Sequence, residues 1–297
     1  MTYSIDMLPA ELIKKIRQIQ IYTSRMVDAS FAGQYESVFK GRGMQFDEVR
    51  EYTPGDDIRT IDWNVTARTG RPYIKRYVEE RELTVIFAVD LSASGDFGTV
   101  NKAKNELAAE FCAVMAFAAA KNNDKVGLLI FSDRIELYIP PKKGISHMLR
   151  LVRELLYFKM PKRKTNINEA MDYLARVIRK KATVFVVSDF IESDFKKSLS
   201  LLNKRHDVVA VSVRDPAEIA LPNIGLIEFT DAETGELILV DTRNRSFREQ
   251  YSGSTAKQAD ELKNTFRSIN VDCINIRTDR PYVQDLVRFF HMRHRRR

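Results

Sequence analysis

The stretch that most constrains the fold of this chain is residues 84–94, which read TVIFAVDLSAS. Residues 85–89 are an uninterrupted apolar run rich in branched and aromatic side chains, which is typical of a β-strand buried on both faces. Asp90, Ser92 and Ser94 follow this run at alternate positions. Because open α/β sheets bind their ligands just beyond the carboxyl ends of their strands, we predict a polar loop at such an edge. A plainer alternative is that these residues only end the strand and cap the next helix.

From residue 83 onward, strand patterns alternate with helix patterns. We predict strands at 83–90, 125–131, 135–139, 183–187, 207–213 and 271–276. Helical periodicity is found at about 101–122, 145–156, 171–178, 194–203 and 262–269, with a hairpin at 224–241 and a short last helix at 283–290. This order predicts an α/β fold with a doubly wound, mostly parallel sheet, in which residues 131–139 supply one antiparallel edge strand.

The first 82 residues have a different pattern, so we divide the chain into domains 1–82 and 83–297. An amphipathic helix is predicted from residue 7 to about residue 28. Residues 41–82 then mix short extended pieces with many charges of both signs around Trp63, the only tryptophan. We expect this small β-containing subdomain to form a partly buried ion-pair network that packs on the α/β domain, in preference to forming a binding site.

Composition restricts the class of protein. With 44% hydrophobic and 30% charged residues, the chain is expected to be globular and not disordered. Its formal net charge of +8 permits contact with nucleic acid or anionic lipid but does not require it. The chain has two cysteines, no secretory signal pattern and no apolar stretch long enough to span a bilayer. We therefore expect a cytoplasmic protein, with contact at a membrane surface left open.

Two further residues fall where a site at this sheet edge needs them. Thr165 ends a basic loop just before a predicted helix, and Asp189 ends another predicted strand. Because the ends of parallel strands meet at one edge, Asp90 and Asp189 can approach each other there. Together with Ser92, Ser94 and Thr165 they offer five oxygen donors, which suits Mg²⁺, or else Mn²⁺ or Ca²⁺, with one octahedral position left over. The alternative is that Thr165 and Asp189 only cap the helices that follow them.

This set of residues resembles the metal-ion-dependent adhesion site of von Willebrand factor A domains, which combines D-x-S-x-S, a later Thr before a helix and a strand-terminal Asp. The resemblance implies that Ser92, Ser94 and Thr165 bind the ion directly. It also implies that Asp90 and Asp189 bind the ion directly or through water. A partner's acidic side chain would then take the sixth position.

The block before this site is more specific. The sequence VREYTPGDDIRTIDWNVTARTGRPYIKRYVEERE, followed by VDLSAS, closely resembles bacterial proteins of the domain-of-unknown-function family 58 from about residue 39 to at least residue 189. This implies a von Willebrand factor A-like, Rossmann-like domain. One departure is Gly95-Asp96 after the second serine, where an apolar residue is expected, so that a further carboxylate lies beside the site.

Proteins of this family resemble the companions of MoxR-type AAA+ ATPases, and in some bacteria their gene groups are linked to aerotolerance. The resemblance implies an adaptor that works with such an ATPase and with a client protein that the sequence does not identify. We therefore expect a protein-binding, non-catalytic function.

Two other functions compete with the adaptor. Haloacid-dehalogenase-like phosphatases need a second Asp where this chain has Ser92, and the chain has no P-loop, H-E-x-x-H or G-x-S-x-G motif, which argues against a metal-dependent hydrolase. Basic runs at 159–164 and 179–181 and the tail HMRHRRR could serve nucleic-acid binding. No aromatic interleaving or known reading motif accompanies them, so we interpret them as solvated faces and a disordered tail.

Overall fold

Strands and helices alternate through the larger part of the structure, which is a computed structural model. The structure describes residues 33–35, 38–39, 43–80, 82–92, 95, 97–99, 102–158, 164–191, 194–230 and 237–296. The strands are β1 (Gly43–Glu51), β2 (Tyr73–Glu80), β3 (Thr84–Asp90), β4 (Lys125–Phe131), β5 (Ile135–Lys142), β6 (Thr183–Ser188), β7 (Asp207–Arg214), β8 (Leu226–Thr230), β9 (Leu237–Asp241) and β10 (Asp272–Arg277). The helices are α1 (Trp63–Thr69), α2 (Lys104–Lys121), α3 (Ile145–Tyr157), α4 (Ile167–Val177), α5 (Lys196–Arg205), α6 (Pro216–Ile219), α7 (Arg245–Ser268) and α8 (Val283–Arg295). They fall into two compact units, of which the smaller is Phe39–Leu83.

The larger unit is built on a six-stranded sheet with the order β10-β7-β6-β3-β4-β5. Strand β3 pairs in parallel with β4 and β6, and β7 pairs in parallel with β6 and β10. Strand β5 alone is antiparallel, against β4 at the end of the sheet. The predicted fold class is therefore confirmed: the sheet is doubly wound and mostly parallel, with one antiparallel edge strand.

Helices cover this sheet from two sides, which explains why its strands read as continuous apolar runs. Phe87 of β3 stacks on Phe185 of β6, and Phe111 of α2 meets Phe185 edge-on. Ile86 and Ala88 of β3 instead belong to a cluster that includes buried residues of α4, α5 and α7. Alternate side chains of one strand thus enter two separate parts of the core, and each large apolar side chain that is fully buried contributes about 1.5–3 kcal/mol.

The smaller unit is an antiparallel pair of strands, β1 and β2, joined by a short 3-10 turn and α1. Arg50 forms an ion pair with Asp56 at 2.6 Å, which closes the turn after β1, and Asp62 caps α1 while pairing with Lys75 at 3.4 Å. The expected network of ion pairs is present, but it does not enclose Trp63, because this residue is 69% exposed. The packing of this unit on the α/β domain stays a prediction.

The helices at the end of the chain are longer than predicted. Helix α7 begins at Arg245, and of its residues only Phe266 is buried, so that most of its length lacks the apolar periodicity that predicts a helix. Helix α8 runs to Arg295, and Arg293 within it is buried and paired with Asp207 and Asp272. The expectation of a disordered basic tail is wrong for residues 291–296. The predicted helix at 7–28 and the hairpin tip at 231–236 lie outside the described residues.

Candidate functional site

Asp90 lies in a small polar pocket at the carboxyl end of β3. Its Oδ1 accepts a hydrogen bond from the backbone N–H of Ser92 at 2.9 Å, the local turn that an aspartate favours after a strand. Its Oδ2 accepts from the hydroxyl of Ser188, on the neighbouring strand β6, at 2.7 Å. The hydroxyl of Thr165 lies 3.2 Å from the same oxygen, across 75 positions of the chain. Tertiary structure therefore brings Thr165 to Asp90 as predicted from the sequence.

Asp189 reaches this pocket because of the turn that ends β6. Phe190 adopts a left-handed backbone with φ 55°, an uncommon conformation for a bulky residue. Its N–H donates to the Ser188 hydroxyl at 3.1 Å, and its ring packs against Phe195 and Phe266 with centroids 5.3 and 5.1 Å away. Aromatic packing and this hydrogen bond hold the turn, so that Asp189 and Asp90 line the same pocket.

Lys104, the first residue of α2, is the part of the site that sequence reasoning missed. Its ammonium donates to Asp189 Oδ2 at 2.7 Å and to Glu218 Oε1 at 2.6 Å, and the residue is only 3% exposed. Glu218 follows β7, so the lysine joins three loops at one edge of the sheet. The sequence feature that could have indicated its burial is its position three residues before Leu107, on a helix with many buried residues. The sequence does not show which carboxylates it meets.

Two carboxylates and one ammonium set the electrostatics of the pocket. Burial, and then the negative charge of Asp189, raise the pKa of Asp90 to about 6, against the lowering effect of hydrogen bonds from Ser92 and Ser188. Burial lowers the pKa of Lys104, but Asp189 and Glu218 outweigh it and the pKa is raised. Among the described residues, the ion pairs include one for Asp189 but none for Asp90. At neutral pH the Asp90 carboxylate is therefore a buried charge without a cationic partner among the residues that the structure describes.

A further buried carboxylate, Asp215, continues the network beyond Lys104. It accepts from the Thr278 hydroxyl at 2.7 Å and from the backbone N–H groups of Thr99 and Ala217 at 3.0 Å each. Its own N–H donates to Glu218, the second partner of Lys104, in a capping box at the start of α6. Burial raises the pKa of Asp215, but the hydrogen bonds from Thr99, Thr278 and Ala217 outweigh it and leave that pKa below its ordinary value.

Of the five predicted ligands, Asp90, Ser92 and Asp189 line the pocket, and Thr165 contacts Asp90 beside it. Ser94 lies outside the described residues, as does Asp96. The pocket has a volume of about 20 Å³, which accommodates a water or a single ion. No group of three or more His, Cys, Asp and Glu side chains suited to a metal occurs in the described ranges, so a cation here needs the hydroxyl ligands as well. Oxygen donors of this kind fit a hard divalent cation, while Lys104 competes for Asp189.

Sequence comparison relates this chain to a protein family that is described as being of unknown function. The profile of a family described as "Protein of unknown function DUF58" matches residues 48–261. Uncharacterized proteins of Mycobacterium bovis and Mycobacterium tuberculosis are each 29% identical over 295 residues, which is 98% of this chain and 92% of the relative.

Comparison with solved structures finds matches to bacterial proteins and to one from a mussel. The conserved hypothetical protein BatB of Bacteroides thetaiotaomicron is 18% identical with a TM-score of 0.47, covering 72% of this chain and 100% of its own. An aerotolerance-related membrane protein of Bacteroides fragilis is 17% identical with a TM-score of 0.48, covering 71% and 99%. Mussel proximal thread matrix protein 1, with a zinc-occupied MIDAS motif, is 16% identical with a TM-score of 0.35, covering 44% and 36%.

Proposed function

The chain belongs to the DUF58 family of proteins of unknown function, and from this premise we propose that it is a non-enzymatic adaptor that binds partner proteins at the Asp90 pocket. The observation that carries the proposal is the convergence of Asp90, Ser92, Thr165 and Asp189 at the carboxyl ends of β3 and β6. A volume of about 20 Å³ accommodates a single ion, as a cation-mediated contact with a partner protein requires.

A hard divalent cation is part of this proposal, with Mg²⁺ as the first candidate and Mn²⁺ or Ca²⁺ as alternatives. Ser92, Ser94 and Thr165 would hold it directly, with Asp90 and Asp189 bound directly or through water. The support is the buried charge of Asp90, which has no cationic partner among the described residues and whose pKa is raised to about 6, first by burial and then by Asp189. The bound ion would supply a positive charge for an acidic side chain of the partner.

The proposed partners are a MoxR-type AAA+ ATPase and a client protein, in a stress, aerotolerance or complex-assembly role, and their support is the family resemblance. We also propose a cytoplasmic setting, with which the free thiols of Cys112 and Cys273 are compatible. None of the helices that the structure describes is both long and apolar enough to cross a membrane.

Cation binding should raise the melting temperature, because a ligand that binds only the native state stabilises it. At a hundredfold excess of Mg²⁺ or Mn²⁺ over its Kd, we expect about 2.7 kcal/mol, or roughly 5–10 °C for a unit of this size. The double variant Ser92→Ala/Ser94→Ala should lose this shift. The matched control, Ser246→Ala/Ser254→Ala, alters two exposed serines of α7 and should keep it. A shift of equal size in both variants would show that the ion binds elsewhere.

Partner binding is tested by co-purification of the tagged chain with the cognate AAA+ ATPase, with and without a chelator. We expect Asp90→Ala and chelator treatment each to reduce the recovered ATPase by about tenfold or more, because each removes the cation from the contact. Asp172→Ala removes an exposed carboxylate of α4 and serves as the control, with recovery unchanged. Equal recovery from wild type and Asp90→Ala would exclude the pocket as the contact surface.

A further inference from the structure

Among the strands that the structure describes, β10 ends the six-stranded sheet at the side opposite to the antiparallel edge strand β5. Strand β10 pairs with β7 on one side, and no described strand pairs with it on the other. Thr278, just after β10, donates its N–H to the carbonyl of Arg214 on β7 at 3.1 Å. Backbone groups of alternate residues point to the same side of a strand, so those of Cys273 and Asn275 point away from β7. No described strand pairs with these groups, which is the condition for adding another strand at this edge.

A groove runs along this edge between α7 and α8, and its volume is about 520 Å³. Leu262 and Phe266 of α7 form one apolar wall, and Phe289 and Met292 of α8 form the other. Met292 is 49% exposed, so apolar surface remains open to solvent on the α8 side. The groove is therefore lined by residues of β10, whose outer side has no partner among the described strands, and by apolar side chains of both helices.

Positive charge predominates around the groove, with six basic and two acidic lining residues. They are Arg214, Lys263, Arg267, Arg277, Arg293 and Arg296, against Asp260 and Asp272. Three of the six already have carboxylate partners: Arg277 pairs with Asp279, Arg293 with Asp207 and Asp272, and Arg296 with Asp272. The positive charge left for an occupant is that of Arg214, Lys263 and Arg267. On the α7 wall Lys263 and Arg267 are both exposed, one turn apart on the same face of the helix. The groove therefore favours a ligand that carries negative charge.

We propose that this groove binds an extended acidic segment of a partner protein, which adds to β10 as a further strand. Strand addition uses the backbone groups for affinity and the groove walls for selectivity among side chains. The six residues of β10 span about 20 Å, enough for five or six residues of such a segment. A second copy of this chain fits less well, because edge-to-edge pairing would bring two basic grooves together. The proposal depends on neither Asp90 nor a cation.

The probe is a short fluorescein-labelled peptide of alternating glutamate and valine, and its anisotropy is followed with the full chain. We expect saturable binding, weakened about tenfold or more by Lys263→Glu/Arg267→Glu. The matched control, Lys257→Glu/Lys204→Glu, reverses two exposed charges away from the groove and should bind as the wild type does. Methylation of alternate backbone nitrogens of the peptide keeps its charge but blocks strand pairing, and it should abolish binding.

Several outcomes would overturn the proposal. The methylated peptide could bind as tightly as its parent, which would leave only charge attraction, or the parent peptide could fail to bind at all. An oligonucleotide that binds with the same dependence on Lys263 and Arg267 would assign the groove to nucleic acid. Sedimentation analysis could also show a dimer. If Asn275→Pro converts it to a monomer of unchanged melting temperature, the edge belongs to a second copy of the chain.

The variant Asp90→Ala distinguishes this proposal from the proposed function. We expect it to bind the peptide as the wild type does, because the groove is separate from the Asp90 pocket.

Discussion

Replacing Lys104 with methionine should lower the free energy of unfolding by about 3–5 kcal/mol, the cost of leaving buried carboxylates without their cation. The ammonium of Lys104 is the common partner of Asp189 and Glu218 at 2.7 and 2.6 Å, and methionine retains only the volume of its stem. Lys102→Met is the matched control, since Lys102 pairs with Glu110 near the surface and should contribute less than about 1 kcal/mol. Urea unfolding followed by circular dichroism measures both variants. Equal losses would contradict this prediction, because the buried ion pairs of Lys104 would then add no more stability than the pair of Lys102 with Glu110.

The same variant tests whether Asp189 takes part in cation binding. With Lys104 removed, Asp189 has no ammonium at 2.7 Å and is free to face a cation. We therefore expect Mn²⁺ to raise the melting temperature of Lys104→Met by more than it raises that of wild type or Lys102→Met. If all three proteins respond equally, Asp189 is not part of the cation site, and the role of Lys104 is structural only.

Replacing Asp215 with alanine should lower the free energy of unfolding by about 3–4 kcal/mol, because several donors lose a buried, charged acceptor at once. These donors are the hydroxyls of Thr99 and Thr278 and the backbone N–H groups of Thr99 and Ala217. Asp215→Asn keeps the shape but turns an amide NH₂ toward donors, so an intermediate loss is expected. Asp241→Ala, a carboxylate paired with Arg243 at the surface, should change stability by less than about 1 kcal/mol.

The pH dependence of Asp215→Asn gives a second check on the same carboxylate. Burial raises the pKa of Asp215 but hydrogen bonds outweigh it, so the folded-state pKa is lowered below the unfolded value. The charged form therefore stabilises the fold above an unfolded pKa of about 3.9, and this contribution is lost as the pH falls through the lower folded pKa. The difference in stability between wild type and Asp215→Asn should narrow below about pH 4. A difference that stays constant with pH would contradict this assignment.

Strands β3, β4, β6 and β7 were predictable from the sequence because both of their faces are buried. A run of four to six residues without a charged or polar side chain leaves few other interpretations. Helix α2 was predictable for the same reason. The first four turns of α7 were not, because an exposed polar helix has no apolar stripe.

The residues of the site likewise divide into those that the sequence predicts and those that it does not. Asp90 and Asp189 could be expected at one sheet edge because each directly follows a buried parallel strand. The pairing of Lys104 with Asp189 and Glu218 joins residues 85 and 114 positions apart, and local pattern does not encode such partners. The groove at β10 depends on the strand order, which places the last strand of the chain at the outside of the sheet.

The exposure of Trp63 decides how these experiments can be read out. It is the chain's only tryptophan, it belongs to the smaller unit, and its residue is 69% exposed. An indole in water already emits at long wavelength, so unfolding of the sheet would change its fluorescence little. Calorimetry, or circular dichroism of the backbone, follows the α/β unit, while indole emission is kept as a separate optical signal for ligands that touch Phe39–Leu83.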